Sequence, residues 1–170
     1  MPDHPPFIVT AALDEGAFAW FEDLLQSHFP GHRNQVPAHL TLFHALPGAH
    51  ERAVAQTLQA AYRSRRPLRL SLTGPWSLGR GVAYRLASPD LDRLRGDLAH
   101  AFSPCLTRQD QAGFDPTSQP QQGGRGGGLP AFRVAAEEFE PFLIFAEGLL
   151  LSRYHGGPWA MVDQSNFEAP

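Results

Sequence analysis

At 170 residues the chain suits one domain, or two small lobes sharing a core. A hydrophobic share of 42% is ordinary for a globular protein, and a formal charge of −3 excludes an extended nucleic-acid footprint, which needs a basic face. A small nucleotide or an RNA end stays compatible with that charge, because a local patch holds a few phosphates.

Cys105 is the only cysteine, so neither an intrachain disulfide nor a Cys-based metal cluster is expected. Met1 to Pro6 is polar and proline-rich, unlike a signal peptide. The longest apolar stretch, Phe142 to Leu151, is interrupted by Glu147 and Gly148, short of a membrane span. The chain therefore reads as cytoplasmic and soluble, with no membrane partner, and is expected to act as a monomer.

Phe7 to Leu13 is short and rich in β-formers, and reads as a buried strand. Asp14 offers an N-cap to a helix whose apolar positions are Phe18, Phe21, Leu24, Leu25 and Phe29, ended by Pro30-Gly31. Pro37 then leads into a strand, Ala38-His39-Leu40-Thr41-Leu42-Phe43, that runs to the turn signal Leu46-Pro47-Gly48.

Residues two apart on a strand share a face, so His39 and Thr41 point together at one ligand. The pairing suits phosphate chemistry: an imidazole moves a proton near neutral pH while a hydroxyl holds a non-bridging oxygen. His44 falls on the opposite face if the strand stays regular, which favours a structural use.

Glu51 to Arg65 carries Val54, Leu58, Ala61 and Tyr62 on one helical stripe, and Arg63, Arg65, Arg66 and Arg69 form either a local phosphate-holding patch or, more simply, a solvated helix end. Leu68 to Leu72 alternates as a half-buried strand, and Val82 to Leu86 follows Gly79-Arg80-Gly81 as its hairpin partner. Ser88-Pro89 starts a helix with Leu91, Leu94, Leu98 and Phe102 on its apolar face. Phe142 to Leu151 reads as a strand with a bulge at Gly148, and Trp159 to Val162 closes the sheet after Gly156-Gly157-Pro158. Strands and helices in this order give an α+β fold.

Four segments then carry a specific likeness: PAHLTLFHALPG (Pro37 to Gly48), LGRGVAYRL (Leu78 to Leu86), LTRQDQAGF (Leu106 to Phe114) and AEGLLLSRYHGGPW (Ala146 to Trp159). In this order they resemble the two-histidine (2H) phosphoesterase superfamily, in its bacterial 2′-5′ RNA ligase-like branch. The resemblance implies a single bilobal, pseudo-symmetric domain over residues 1–170, with two antiparallel sheets flanking a cleft and helices outside. It implies 2′-5′ RNA ligase-like cyclic phosphodiesterase chemistry on 2′,3′-cyclic phosphate RNA ends or small cyclic nucleotides, with no metal or organic cofactor. On this likeness His39 maps to the first motif's acid/base and Thr41 to its phosphate-holding hydroxyl. Arg80 and Tyr84 come from a segment that borders the cleft in relatives, as substrate contacts or as packing. Arg153 and Tyr154 carry the same two readings.

The chain departs from the family at the second motif. Gly113-Phe114-Asp115-Pro116 is present, but Thr117-Ser118-Gln119 stands where a second His-x-Thr begins. Thr117 takes the histidine's place and Gln119 the hydroxyl's, and neither shuttles protons near neutral pH. The following Gly- and Gln-rich run reads as a disordered or irregular loop over residues 115–130, with the composition of GC-rich codons read out of frame between compensating indels. Two functions stay open: an impaired two-histidine phosphodiesterase, or a non-catalytic nucleotide or RNA-end binding protein of the same fold.

Overall fold

A computed structural model of the chain describes residues 4–28, 36–77, 82–114, 117–119, 136–137 and 139–170. The elements run β1 (Phe7–Leu13), α1 (Glu15–His28), β2 (His39–Leu46), α2 (Glu51–Arg63), β3 (Leu68–Ser77), β4 (Val82–Ala87), α3 (Pro89–Phe102), α4 (Arg108–Gln111), β5 (Thr117–Gln119), β6 (Phe142–Tyr154) and β7 (Trp159–Asn166). A 3₁₀ turn, Gly48–His50, leads into α2. No helix among the described residues is long and apolar enough to cross a membrane.

The capping chemistry read from the sequence is in place. The Asp14 carboxylate accepts the Ala17 N–H at 2.8 Å, and the Ser88 hydroxyl accepts the Leu91 N–H at 3.1 Å with Pro89 at the first helical position. Each helix then buries its apolar stripe on one face of the sheet: Phe21 and Leu25 from α1, Val54, Leu58 and Tyr62 from α2, and Leu91, Leu94, Leu98 and Phe102 from α3. Fully burying each such Leu or Phe is worth roughly 1.5–3 kcal/mol, which makes this layer the main source of stability. Phe18 departs from its expected stripe; it is 40% exposed and turns toward the opposite face.

All strand pairs among the described residues are antiparallel. The order is β1-β2-β5-β4-β3-β6-β7, and β6 also pairs with β1. The unit β1–α1–β2 is matched by β4–α3–β5, each joining its two strands directly, so the expected pseudo-symmetric halves are present. The two sheets of the halves are joined by hydrogen bonding into one seven-stranded sheet, because β5 links β2 to β4 and the 13-residue β6 reaches both β1 and β3.

Gly148 shows why that junction needs a glycine. A Cβ there would lie 2.1 Å from the Ser165 carbonyl oxygen on β7. The register of β6 against β1 slips beside it, between Ala12 and Leu13, where the sequence places a bulge. Thr117–Gln119 lies inside the window read as irregular, yet it forms a strand paired on both sides. The rest of that window lies outside the described residues.

Candidate functional site

β1 is buried on both faces, as its unbroken apolar run suggests. Phe7, Val9 and Ala11 belong to the helix-side core, whereas Ile8, Thr10 and Ala12 are buried on the other face. On that second face, β1, β6, β7 and the start of α1 enclose a cavity of about 460 Å³. Its lining includes Thr10, Ser152, Gln164, Glu15, Glu147, Phe18, Trp159 and His39.

His39 opens β2 beside this cavity. Its Nδ1 lies 2.8 Å from the Pro37 carbonyl. A carbonyl only accepts, so Nδ1 carries the hydrogen and Nε2 keeps a lone pair. The ring centroid is 4.6 Å from that of Trp159. Burial lowers the ring's pKa below its ordinary 6.5 against the opposing effect of the Pro37 hydrogen bond, and the charge of His44 lowers it further. At neutral pH His39 is thus a neutral base with one nitrogen available.

Thr41 stands two residues on, in register with Thr10 of β1, and is half-buried beside the cavity rather than part of its lining. On the other edge of β2, the backbone of Gln119 lies across from His39 and that of Ser118 across from Leu40. The same register continued brings position 117 opposite Thr41. The second motif's positions therefore face the first across neighbouring strands, as the likeness to two-histidine enzymes implies.

The remaining candidates separate. Tyr84 is 3% exposed and enters the core, its ring 5.1 Å from Trp20 and 5.7 Å from Phe139, so its substrate-contact reading gives way to packing. Alternation explains this: Tyr84 and Leu40 share Ser118 as register partner, and both point inward. Its neighbour Arg85 takes the cleft face instead, with its guanidinium 3.5 Å from the Trp76 ring. Arg80 lies outside the described residues. Arg153 points away from the cavity. It stacks on Phe7 at 4.1 Å, donates to the Pro5 carbonyl and pairs with Glu51, a clamp on the N-terminal segment. Tyr154 is 44% exposed at the β6–β7 turn, outside the cavity lining.

Two features were not legible in the sequence. The first is a bulge in β2: Thr10 pairs with Thr41 but Val9 pairs with Phe43, leaving Leu42 as the extra residue. Leu42 and Phe43 both point inward, and His44 emerges exposed on the outer face. Its expected placement opposite His39 rested on a regular strand, and the bulge corrects it.

The second is the anchor of His44. The buried carboxylate of Asp110 accepts the His44 N–H at 2.9 Å, the Ala45 N–H at 3.0 Å and the His44 ring Nδ1 at 3.1 Å. Burial pushes this carboxyl's pKa upward, but those hydrogen bonds outweigh burial and hold it below the ordinary carboxylate value. Arg95, 7% exposed on α3, completes the clamp by donating to the Leu42 carbonyl at 2.7 Å and the Asp110 carbonyl at 2.6 Å. Its guanidinium lies 3.9 Å from the Phe43 ring.

The chain matches the family model of the 2′-5′ RNA ligase superfamily over residues 13–118. No curated protein matches it by sequence. Among solved structures it is similar to TT0787 of Thermus thermophilus, with a TM-score of 0.63 and 15% identity over 95% of this chain and 97% of that one. It is also similar to E. coli LigT complexed with 3′-AMP, with a TM-score of 0.60 and 16% identity over 98% and 100% of the two chains. The LigT structure with NADP+ gives a TM-score of 0.57 at 15% identity over 97% and 99%.

Proposed function

We propose that this chain, which belongs to the 2′-5′ RNA ligase superfamily, binds a cyclic phosphodiester beside His39 and opens it by acid/base chemistry. The substrate class is a 2′,3′-cyclic phosphate RNA end or a small cyclic nucleotide. Water adds to phosphorus, the bond from phosphorus to one ribose oxygen breaks, His39 Nε2 takes the proton that water loses, and the departing ribose oxygen gains one from a second donor or from solvent. Thr41 holds a phosphoryl oxygen, and Trp159 offers a face for a base or ribose. The absence of an imidazole at position 117 slows this reaction.

His39 carries the reading. It lines a cavity of small-ligand size, and one nitrogen is fixed on Pro37 while the other is left basic. Glu15 and Glu147 line the cavity, and no arginine or lysine does among the described residues. A cyclic phosphodiester carries one negative charge, so it is repelled less there than a dianionic monophosphate. LigT, of similar fold, is known complexed with 3′-AMP and with NADP+.

The second reading, a binding protein without turnover, is favoured by Thr117 alone. Hydrolysis of 2′,3′-cyclic AMP, measured beside calorimetric binding of the same nucleotide, separates the two. We expect slow turnover that falls by ~10²–10⁴-fold in His39→Ala, with binding retained. Binding without any wild-type turnover would establish the second reading, and turnover that survives His39→Ala would remove His39 from the reaction.

A further inference from the structure

We propose that His44, oriented by Asp110, is the second proton-transfer group of this site and does the work that the altered β5 cannot. The inference rests on the phosphodiesterase reading above and adds a residue to it. Its footing is geometric. The β2 bulge turns His44 onto the face that holds His39 and Thr41, so one strand presents an imidazole, a hydroxyl and a second imidazole on the same side.

The two rings are prepared in the same way. His39 Nδ1 is engaged by the Pro37 carbonyl, and His44 Nδ1 by the Asp110 carboxylate. In both, Nε2 is the nitrogen left for other work. His44 keeps 47% of its side chain exposed while its partner carboxylate is 1% exposed. An imidazole backed by a buried carboxylate and open on its far side has the arrangement of the histidine in a hydrolytic triad. The rings also sense one another, since a charge on His44 disfavours protonation of His39.

The roles then divide. His39, neutral and half-buried, takes a proton from water as its oxygen bonds to phosphorus. His44, protonated on both nitrogens, gives the Nε2 proton to the ribose oxygen as its bond to phosphorus breaks. One proton enters His39 and one leaves His44, so exchange with solvent resets the pair without any further reactant. Asp110 is a positioning residue, since it touches His44 and not the substrate. Its two backbone acceptances from His44 and Ala45 hold the carboxylate at the strand edge even when the ring is removed.

The test is hydrolysis of 2′,3′-cyclic AMP by wild type, H39A, H44A and H44Q, with binding measured for each and imidazole added to the alanine variants. Turnover of H44A and H44Q is expected to fall by ~10²-fold or more with binding unchanged, and free imidazole is expected to restore part of it in H44A. H44Q keeps an N–H for Asp110, so a loss shared by both variants separates proton transfer from folding. Full activity in H44A and H44Q alongside an inactive H39A would overturn the role of His44 and leave the phosphodiesterase reading standing. A wild type that binds the nucleotide without turnover, or one that does not bind it, would overturn both.

Discussion

Strands β2 and β5 hold equivalent places in their halves: each follows a strand–helix unit, each pairs with the strand that opened it, and they pair with each other. β2 is fixed from every side, by Arg95 on the Leu42 carbonyl, by Asp110 on the His44 and Ala45 amides, and by fully buried Leu40, Leu42 and Phe43. β5 keeps the backbone register, and carries Thr117 and Gln119 at the positions where the resemblance to two-histidine enzymes implies a histidine and a hydroxyl. Backbone pairing thus survives a change of side chains, because a ladder uses the N–H and C=O groups that every residue but proline possesses. A fold match across nearly the whole chain is therefore silent about turnover.

That contrast can be broken or sharpened in several ways. The largest expected effect is T117H/Q119T placed in the H44A background. It should raise 2′,3′-cyclic AMP hydrolysis by ~10²-fold or more, and an unchanged rate would mean that the register of β5 does not deliver a ring to the reacting phosphorus.

Arg95→Leu should destabilise the β2 half by about 3 kcal/mol, since it leaves the buried Leu42 and Asp110 carbonyls without their donors. Denaturant unfolding checks this. Gly148→Ala should cost about 1–3 kcal/mol, because the added methyl meets the Ser165 carbonyl oxygen in a packed strand pair. A thermal midpoint equal to wild type would show that β7 yields there.

Two pH effects are smaller. Burial lowers the His39 pKa below 6.5, so the ring remains an unprotonated base as pH falls from 8 to about 6.5. For the proposed hydrolysis, the low-pH decline in kcat/KM should accordingly begin below the value of an ordinary histidine. Because a positive His44 lowers His39, H44A should shift the His39 titration upward. Ring chemical shifts followed by NMR give that value directly, and a downward shift would contradict the electrostatic link.

The elements, and the face shared by His39 and Thr41, were legible because their signals are local. Asp14 and Ser88 cap helices, Pro47-Gly48 stops a strand, and period-two and helical stripes mark the core faces. His39 and Thr41 needed only the alternation of a strand. Tyr84 and His44 needed more. The inward face of Tyr84 is set by cross-strand register with β5, and the outward face of His44 by one extra residue in β2. Neither leaves a mark in the flanking sequence. Asp110 was equally hidden, since its partners lie 65 and 66 residues away. Its segment contributed to the family likeness without disclosing what the carboxylate holds.

The long strand β6 gives one edge to β1 and divides the other between β3 and β7, so both halves are sewn to a common spine. Opposite that spine they meet along β2 and β5, described over His39↔Gln119 and Leu40↔Ser118. With the β2–β5 pairing, the strands run round from β1 through β2, β5, β4 and β3 back to β6. That leaves the two halves joined through backbone hydrogen bonds at two separate seams. The amides of β6, paired along both edges, should then be the last in the sheet to exchange with deuterium.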